Sequence, residues 1–167
     1  MESFPWWNEE HKKLAAEVRQ FVDEVMPRDE EARWKREFPW DIFEKIGERQ
    51  FNGAMIPQKY GGLELGATGA CIAAEEFSRM PGVGRLFIGN MLGGLGQLMA
   101  FGSEDQKQRF LPRIARGELG AICITEPFVG TDAAATETTA RLDGNRYIIN
   151  GKKRYIVSAG VAVRHML

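Results

Sequence analysis

The chain has 167 residues, with 22 Lys+Arg against 23 Asp+Glu, a formal charge of −1, and 44% hydrophobic and 27% charged residues. These proportions are those of an ordinary globular chain and exclude disorder, collagen-like repeats and coiled coil; near-zero charge leaves no electrostatic footprint for nucleic acid. The length allows one domain, or one domain and part of another, with enough core to need no disulfide or metal staple.

The N-terminus, Met1-Glu2-Ser3-Phe4-Pro5-Trp6-Trp7, lacks the basic start and apolar core of a secretory signal. A first helix is predicted over residues 8–26. Leu14, Ala15, Val18, Phe21, Val22 and Val25 share one face, Asn8 caps it, Glu9 and Glu10 favour its positive end, and Pro27 stops it. A shorter charged helix follows at 28–36. Pro39 opens another over 40–49, with Ile42, Phe43 and Ile46 apolar. Residues 51–65 read as loop, punctuated by Pro57 and Gly61-Gly62. A helix over 67–80 ends at Pro81-Gly82. The uncharged stretch 86–103 reads as one buried, close-packed helix, too short and too polar to span a membrane. Met91 and Met99 on it could line a pocket, but a core stripe is the simpler reading. Ser103 and Gln106 form a capping-box pair for the next helix, Pro112 should kink or divide it, and Gly117 lies past its end.

The hydrophobic period then changes. Ala121-Ile122-Cys123-Ile124 is an apolar strand. Strands at 136–142, 147–149 and 153–157, joined by Asp143-Gly144 and Asn150-Gly151, predict a three-stranded meander. Residues 1–118 carry 16 basic and 19 acidic residues, net −3, and residues 119–167 carry 6 and 4, net +2. Helices first and strands after point to an α+β chain of two domains, 1–118 and 119–167.

Chemistry-bearing motifs are few. No GxGxxG follows a strand, and neither GxxxxGK[ST] nor GxSxG occurs, which excludes dinucleotide-fold, P-loop and serine-elbow sites. Cys71 and Cys123 have apolar neighbours, no CxxC exists, and His11 and His165 complete no zinc site; both thiols are expected buried and reduced, as in a reducing compartment. Glu75-Glu76 reads as a solvated helix edge and Lys152-Lys153-Arg154 as a solvated strand end, a phosphate contact being the alternative for the latter. Thr125-Glu126-Pro127-Phe128-Val129-Gly130-Thr131-Asp132 combines hydroxyls, amides, a rigid proline and a permissive glycine. Such a loop can present donors to a flat heterocycle or a phosphate, but by residue chemistry alone a plain connection is favoured. Nothing sets the separation of Glu126 and Asp132, so a carboxylate accepting loop amides is preferred to a general base.

The loop lies within a broad resemblance to the acyl-CoA dehydrogenase family. Residues Phe101-Gly102-Ser103-Glu104-Asp105-Gln106-Lys107-Gln108-Arg109-Phe110-Leu111-Pro112 resemble its FG-[ST]-E-x-Q-K-x-x-[FY]-L-P helix, and 120–132 resemble its strand and TEPxxG[ST]D loop. Asp143-Gly144 and Asn150-Gly151-Lys152-Lys153 resemble its DG…[IL]NGxK meander, and Pro57 with Tyr60-Gly61-Gly62 its early loop. The resemblance implies an all-helical N-terminal domain and the start of an antiparallel β-barrel, with the third, helical domain absent from this chain. It implies FAD as cofactor, an acyl-CoA substrate, α,β-dehydrogenation with hydride transfer to FAD, an electron-transfer flavoprotein as partner, a homo-oligomer and a cytoplasmic setting in fatty or organic acid catabolism. By position, Ile122, Cys123, Ile124 and Thr125 lie beside the flavin, and Thr131 reaches both the FAD pyrophosphate and acyl-CoA. Tyr155, Ile156 and Val157 take the family's W-[IV]-T place, so Tyr155 stands for Trp and Val157 for a Thr whose hydroxyl reaches flavin N5. The family's catalytic carboxylate belongs to the third domain, so no catalytic base and no metal ligand is assigned here, and the chain alone is expected inactive. Residues 163–167 depart from the family's apolar strand. The alternative is a non-catalytic helical interaction module, or partner subunit, whose open sheet pairs with another chain.

Overall fold

A computed structural model describes residues 4–92 and 94–167. Met1, Glu2 and Ser3 of the N-terminal reading, and Gly93 of the uncharged stretch, lie outside the described residues.

Helix α1 runs over Glu9–Lys35, well beyond Pro27. Asn8 closes a capping box with His11, its side chain accepting from the His11 N–H while the His11 ring accepts from the Asn8 N–H. The predicted stop and separate second helix are therefore corrected. A helix-interior proline costs about 3 kcal/mol, but packing overrides it here, because Asp29 and Ala32, both beyond the proline, are buried. The helix ends at Arg36 in the left-handed conformation. Helix α2 spans Trp40–Glu48, as its Ile42, Phe43, Ile46 stripe requires, and all three are buried. Short 3₁₀ turns at Phe51–Gly53 and Gln58–Tyr60 carry the chain to α3, Gly66–Phe77.

The uncharged stretch is two helices, not one: α4, Val83–Leu92, and α5, Leu95–Phe101. Gly94 adopts φ +95° between them, a conformation that suits glycine, and a Cβ there would press on Met166 Cε at 2.8 Å. Helix α6, Glu104–Ala115, keeps Pro112 without dividing, again because Leu111, Ile114 and Ala115 are buried around it. Its predicted Ser103–Gln106 capping box is present.

Two apolar clusters hold the helices. One joins Leu14, Val18, Phe21 and Val22 of α1 to Ile42 and Ile46 of α2 and to Phe77 and Phe87. Phe21, Phe51 and Phe77 meet edge-on at centroid separations of 5.5–6.0 Å, the preferred aromatic geometry. The other gathers Ile56, Tyr60, Leu95, Leu111, Ile114 and Ala115. Among the described residues no helix is long and apolar enough to cross a membrane.

Strand β1, Gly120–Ile122, follows α6. Strands β2, Thr139–Asp143, and β3, Arg146–Asn150, form an antiparallel hairpin in which Leu142 faces Tyr147 and Ala140 faces Ile149. Gly144 takes the positive φ (+64°) that a tight hairpin turn needs. The third meander strand is not formed. Tyr155 and Ser158 stand at φ +57° and +66°, which breaks an extended run, and Arg154 N–H donates to Thr125 O at 2.8 Å. Strand β4, Arg164–Met166, pairs parallel with β1, so 163–167 keeps strand character despite its departure from the family pattern. The chain is thus α+β, a helical domain followed by a partial sheet domain, with no closed barrel among the described residues.

Candidate functional site

Asp29 positions the first wall of the site. It is only 1% exposed, and its carboxylate accepts the Val83 N–H at 2.9 Å and the Gly82 N–H at 3.1 Å, capping α4 from the far end of α1. Helix α4 in turn fixes β1. Buried Asn90 accepts the Gly120 N–H at 2.7 Å, and its Oδ1 lies 3.5 Å from Arg164 Nη2 on β4. Arg164 donates to the Glu118 carboxylate at 3.0 Å and to Glu118 O at 2.9 Å, and Glu118 also pairs with Arg113. Both sides of the β1–β4 pair are thereby tied to the helices. Asn90 was visible in the sequence as a polar residue inside an uncharged stretch; Arg164 and Glu118 gave no such signal.

The 125–132 loop is built on Glu126, which is 4% exposed. Its carboxylate accepts the Glu137 N–H at 2.8 Å, the Thr138 N–H at 3.1 Å, the Thr138 hydroxyl, and Lys153 Nζ at 2.8 Å. The Lys153 ammonium, then the Thr138 hydroxyl and the Glu137 amide, hold the carboxyl down to about 2. Glu126 is therefore the amide-accepting carboxylate that the sequence favoured. Lys153 is not a solvated strand end: its side chain is 11% exposed and reaches inward to Glu126 and to Ile124 O at 3.1 Å. Glu76 corrects the helix-edge reading in the same way, being buried between Arg19 and Arg79. Cys71 is exposed, contrary to expectation, while Cys123 is buried and its thiol is raised by that burial, with Lys153 opposing.

The candidate site residues fall into three places. Ile122, Cys123, Ile124 and Thr125 leave β1 in order. Cys123 N–H is used by Met166 O at 2.7 Å, but the N–H groups of Ile124 and Thr125, and the Thr125 hydroxyl, have no hydrogen-bond partner among the described residues. Tyr155, Ile156 and Val157 share a groove of about 510 Å³ with Gly82, Arg85 and Leu86 of α4 and its entry. Val157 turns a methyl toward Gly89, 3.4 Å from where a Cβ would stand, and Tyr155 lies exposed under the Arg154 guanidinium at 4.6 Å. Backbone and side-chain bonds from Lys153 and Arg154 join the first two groups. Thr131 stands apart in an exposed stretch, its carbonyl accepting the Ala133 N–H at 3.0 Å. The arrangement is a strand end with free donors beside a groove, backed by a helix and stiffened by a buried ion pair.

Comparison with known proteins decides the lineage. Residues 8–118 match the family model described as acyl-CoA dehydrogenase, N-terminal domain, and residues 121–167 match its middle domain. The chain belongs to the acyl-CoA dehydrogenase family. It is 33% identical over 160 residues to a 3-(aryl)acrylate reductase of Clostridium sporogenes, covering 94% of this chain and 42% of that protein. It is 34% identical to an acyl-CoA dehydrogenase of Bacillus subtilis, covering 87% and 39%. Among solved structures, an acyl-CoA dehydrogenase of Bacillus anthracis complexed with FAD superposes with TM-score 0.88 at 32% identity, covering 99% of this chain and 29% of that one. A glutaryl-coenzyme A dehydrogenase in complex with glutaryl-CoA gives 0.87 at 32%, covering 97% and 42%. The chain spans less than half the length of the relatives it matches.

Proposed function

We propose that this chain supplies the helical domain and the flavin-facing start of the sheet domain of an FAD-dependent acyl-CoA dehydrogenase, with residues 1–118 and 119–167 as the two units. The reaction is α,β-dehydrogenation of an acyl-CoA thioester. FAD, when bound, supplies the acceptor for the hydride leaving Cβ, and an electron-transfer flavoprotein takes the electrons onward. The observation that carries this reading is the strand end at Ile124 and Thr125, whose unpaired N–H groups and hydroxyl fit the acceptor-rich edge of an isoalloxazine ring.

The residues of the chain bind and orient. Ile122, Cys123, Ile124 and Thr125 lie along the ring, with Cys123 contributing packing because its N–H is committed to Met166 and its thiol stays protonated. Thr131 serves the pyrophosphate and the acyl-CoA chain beside it. Tyr155 offers an exposed aromatic face, and Ile156 and Val157 close the groove against α4 and exclude water. Val157 carries no hydroxyl, and its methyl is spent on Gly89, so donation from this position falls to its N–H, which has no partner among the described residues. No residue of the chain is assigned as the base that removes the Cα proton. The full assembly is a homo-oligomer in a reducing, cytoplasmic compartment.

Turnover of octanoyl-CoA with an artificial electron acceptor tests the division of labour. The expected result is no turnover by residues 1–167 alone; measurable turnover without another chain would overturn it. A second reading, an interaction subunit, draws on one observation: the hairpin face formed by Ala140, Leu142, Tyr147 and Ile149 is apolar, and its last three residues are 52–68% exposed. A colourless, stable hetero-complex would favour that reading.

A further inference from the structure

A buried ion pair is weak ground for stability, because the cost of drying two charges can exceed their attraction. Glu126 and Lys153 form such a pair, with side chains 3% and 11% exposed and Nζ 2.8 Å from the carboxylate. Glu126 also receives the Glu137 and Thr138 amides and the Thr138 hydroxyl, which anchor the 125–132 loop. The loop closes on itself through two backbone bonds exchanged between Glu126 and Val129, at 2.9 and 3.3 Å. Its shape therefore has supports apart from the lysine. What Lys153 adds is a second bond, from Nζ to the Ile124 carbonyl at 3.1 Å.

That carbonyl belongs to the peptide whose N–H is carried by Thr125. In a planar trans peptide the C=O and N–H point in opposite directions. Drawing the Ile124 oxygen to the ammonium therefore turns the Thr125 N–H the other way, where it has no partner among the described residues. A cation on the oxygen also strengthens the donor at the far end of the same peptide, since linked hydrogen bonds polarise one another. The next peptide is held in the same manner, by the Arg154 N–H on Thr125 O at 2.8 Å. Lys153 and Arg154 run directly into Tyr155, Ile156 and Val157 of the groove beside α4. The segment that aims the strand end thus also ties it to that groove.

Resting on the proposed flavin site, we infer that Lys153 is a positioning residue for FAD: through Ile124 O it aims and strengthens the Thr125 N–H, and so favours reduced over oxidised flavin. Reduction adds electron density to the ring, which a stronger donor stabilises. The test uses the complete polypeptide containing these residues, loaded with FAD, and reads the flavin midpoint potential against a reference dye. Lys153→Met keeps the apolar stem and removes the donation. Glu126→Gln combined with Lys153→Met removes both charges, so the net charge of the site is unchanged, no buried ion is left unpaired, and only the bond to Ile124 O is missing. Lys153→Arg keeps a cationic donor. One charge-assisted hydrogen bond sets the expected loss at about tenfold in the ratio of reduced to oxidised FAD affinity, which lowers the two-electron potential by about 30 mV. Lys153→Met and the double variant should both show that shift, while Lys153→Arg should stay within about threefold of wild type. Where an unpaired Glu126 prevents Lys153→Met from folding, the double variant carries the test. A wild-type potential in the double variant makes the pair merely structural and overturns the inference, leaving the flavin reading in place. A complete wild-type polypeptide that takes up no FAD overturns the flavin reading and the inference together.

Discussion

Removing the Asp29 carboxylate is a sharp perturbation of the scaffold behind the site. The side chain is 1% exposed and serves two amides, Val83 N–H at 2.9 Å and Gly82 N–H at 3.1 Å. Asp29→Ala leaves both donors without a partner, each buried orphan costing about 1–3 kcal/mol, and the loss of a helix N-cap alone costs about 0.5–2 kcal/mol. These describe overlapping losses, so about 3 kcal/mol is the expected destabilisation. For a chain of this length that lowers Tm by roughly 6–12 °C. Asp29→Asn keeps one acceptor and turns an NH₂ toward the second amide, so about half that loss is expected. Denaturant unfolding followed by circular dichroism gives both values. Amide exchange in the first turn of α4 should rise with the loss, because Gly82 and the first turns of α4 also wall the Tyr155–Val157 groove. A change below 0.5 kcal/mol for Asp29→Ala, or identical losses for Ala and Asn, would refute the capping argument.

Other outcomes follow from the same contacts. Glu126 titrates at about 2 in the folded chain, against roughly 4.3 for an unperturbed glutamate. Its folded value is the lower one, so its stabilisation is fully present above about pH 4 and is lost as pH falls through about 2. The amide shifts of Glu137 and Thr138 should therefore titrate near the lower value, and a midpoint near 4.3 would contradict the buried ion pair. Gly84→Ala drives a Cβ into the Phe77 carbonyl and should cost about 1–3 kcal/mol, whereas Gly96→Ala in α5 meets nothing within 4 Å and should gain about 0.5–1 kcal/mol. Reversed signs in thermal melts would show that the helix packing is misread. Native alkylation should modify Cys71 rapidly and Cys123 only on unfolding, since Cys71 is exposed and the buried Cys123 thiol is held protonated; equal labelling would count against that burial.

The helical half was largely legible because its apolar spacing and caps are local signals. The α1 stripe, the Asn8 and Ser103 caps and the α2 face all follow from residues within a turn or two of each other. The failures share one cause, tertiary contacts overriding a local rule. Pro27 and Pro112 look like helix stops, yet buried neighbours carry both helices through them. Glu76 and Lys153 look solvated until Arg19, Arg79 and Glu126 arrive from distant segments. The Asn150-Gly151 pair suggested a hairpin turn. Its glycine instead makes room for Thr138 Oγ1, where a Cβ would collide. The candidate site was legible as a loop with capable chemistry. Its supports, Asn90, Arg164 and the Glu126–Lys153 pair, were not, because each bridges at least 27 positions of sequence.

The central claim is that residues 122–125 and 155–157 form the protein's side of a flavin site. Visible absorbance of the complete polypeptide containing these residues, purified and then titrated with FAD, tests it most directly. One FAD per chain is expected, with binding weakened by Thr125→Val, which removes an unpaired hydroxyl without altering backbone contacts. A colourless protein that takes up no FAD on titration, or one whose FAD affinity is indifferent to Thr125→Val, would contradict the account.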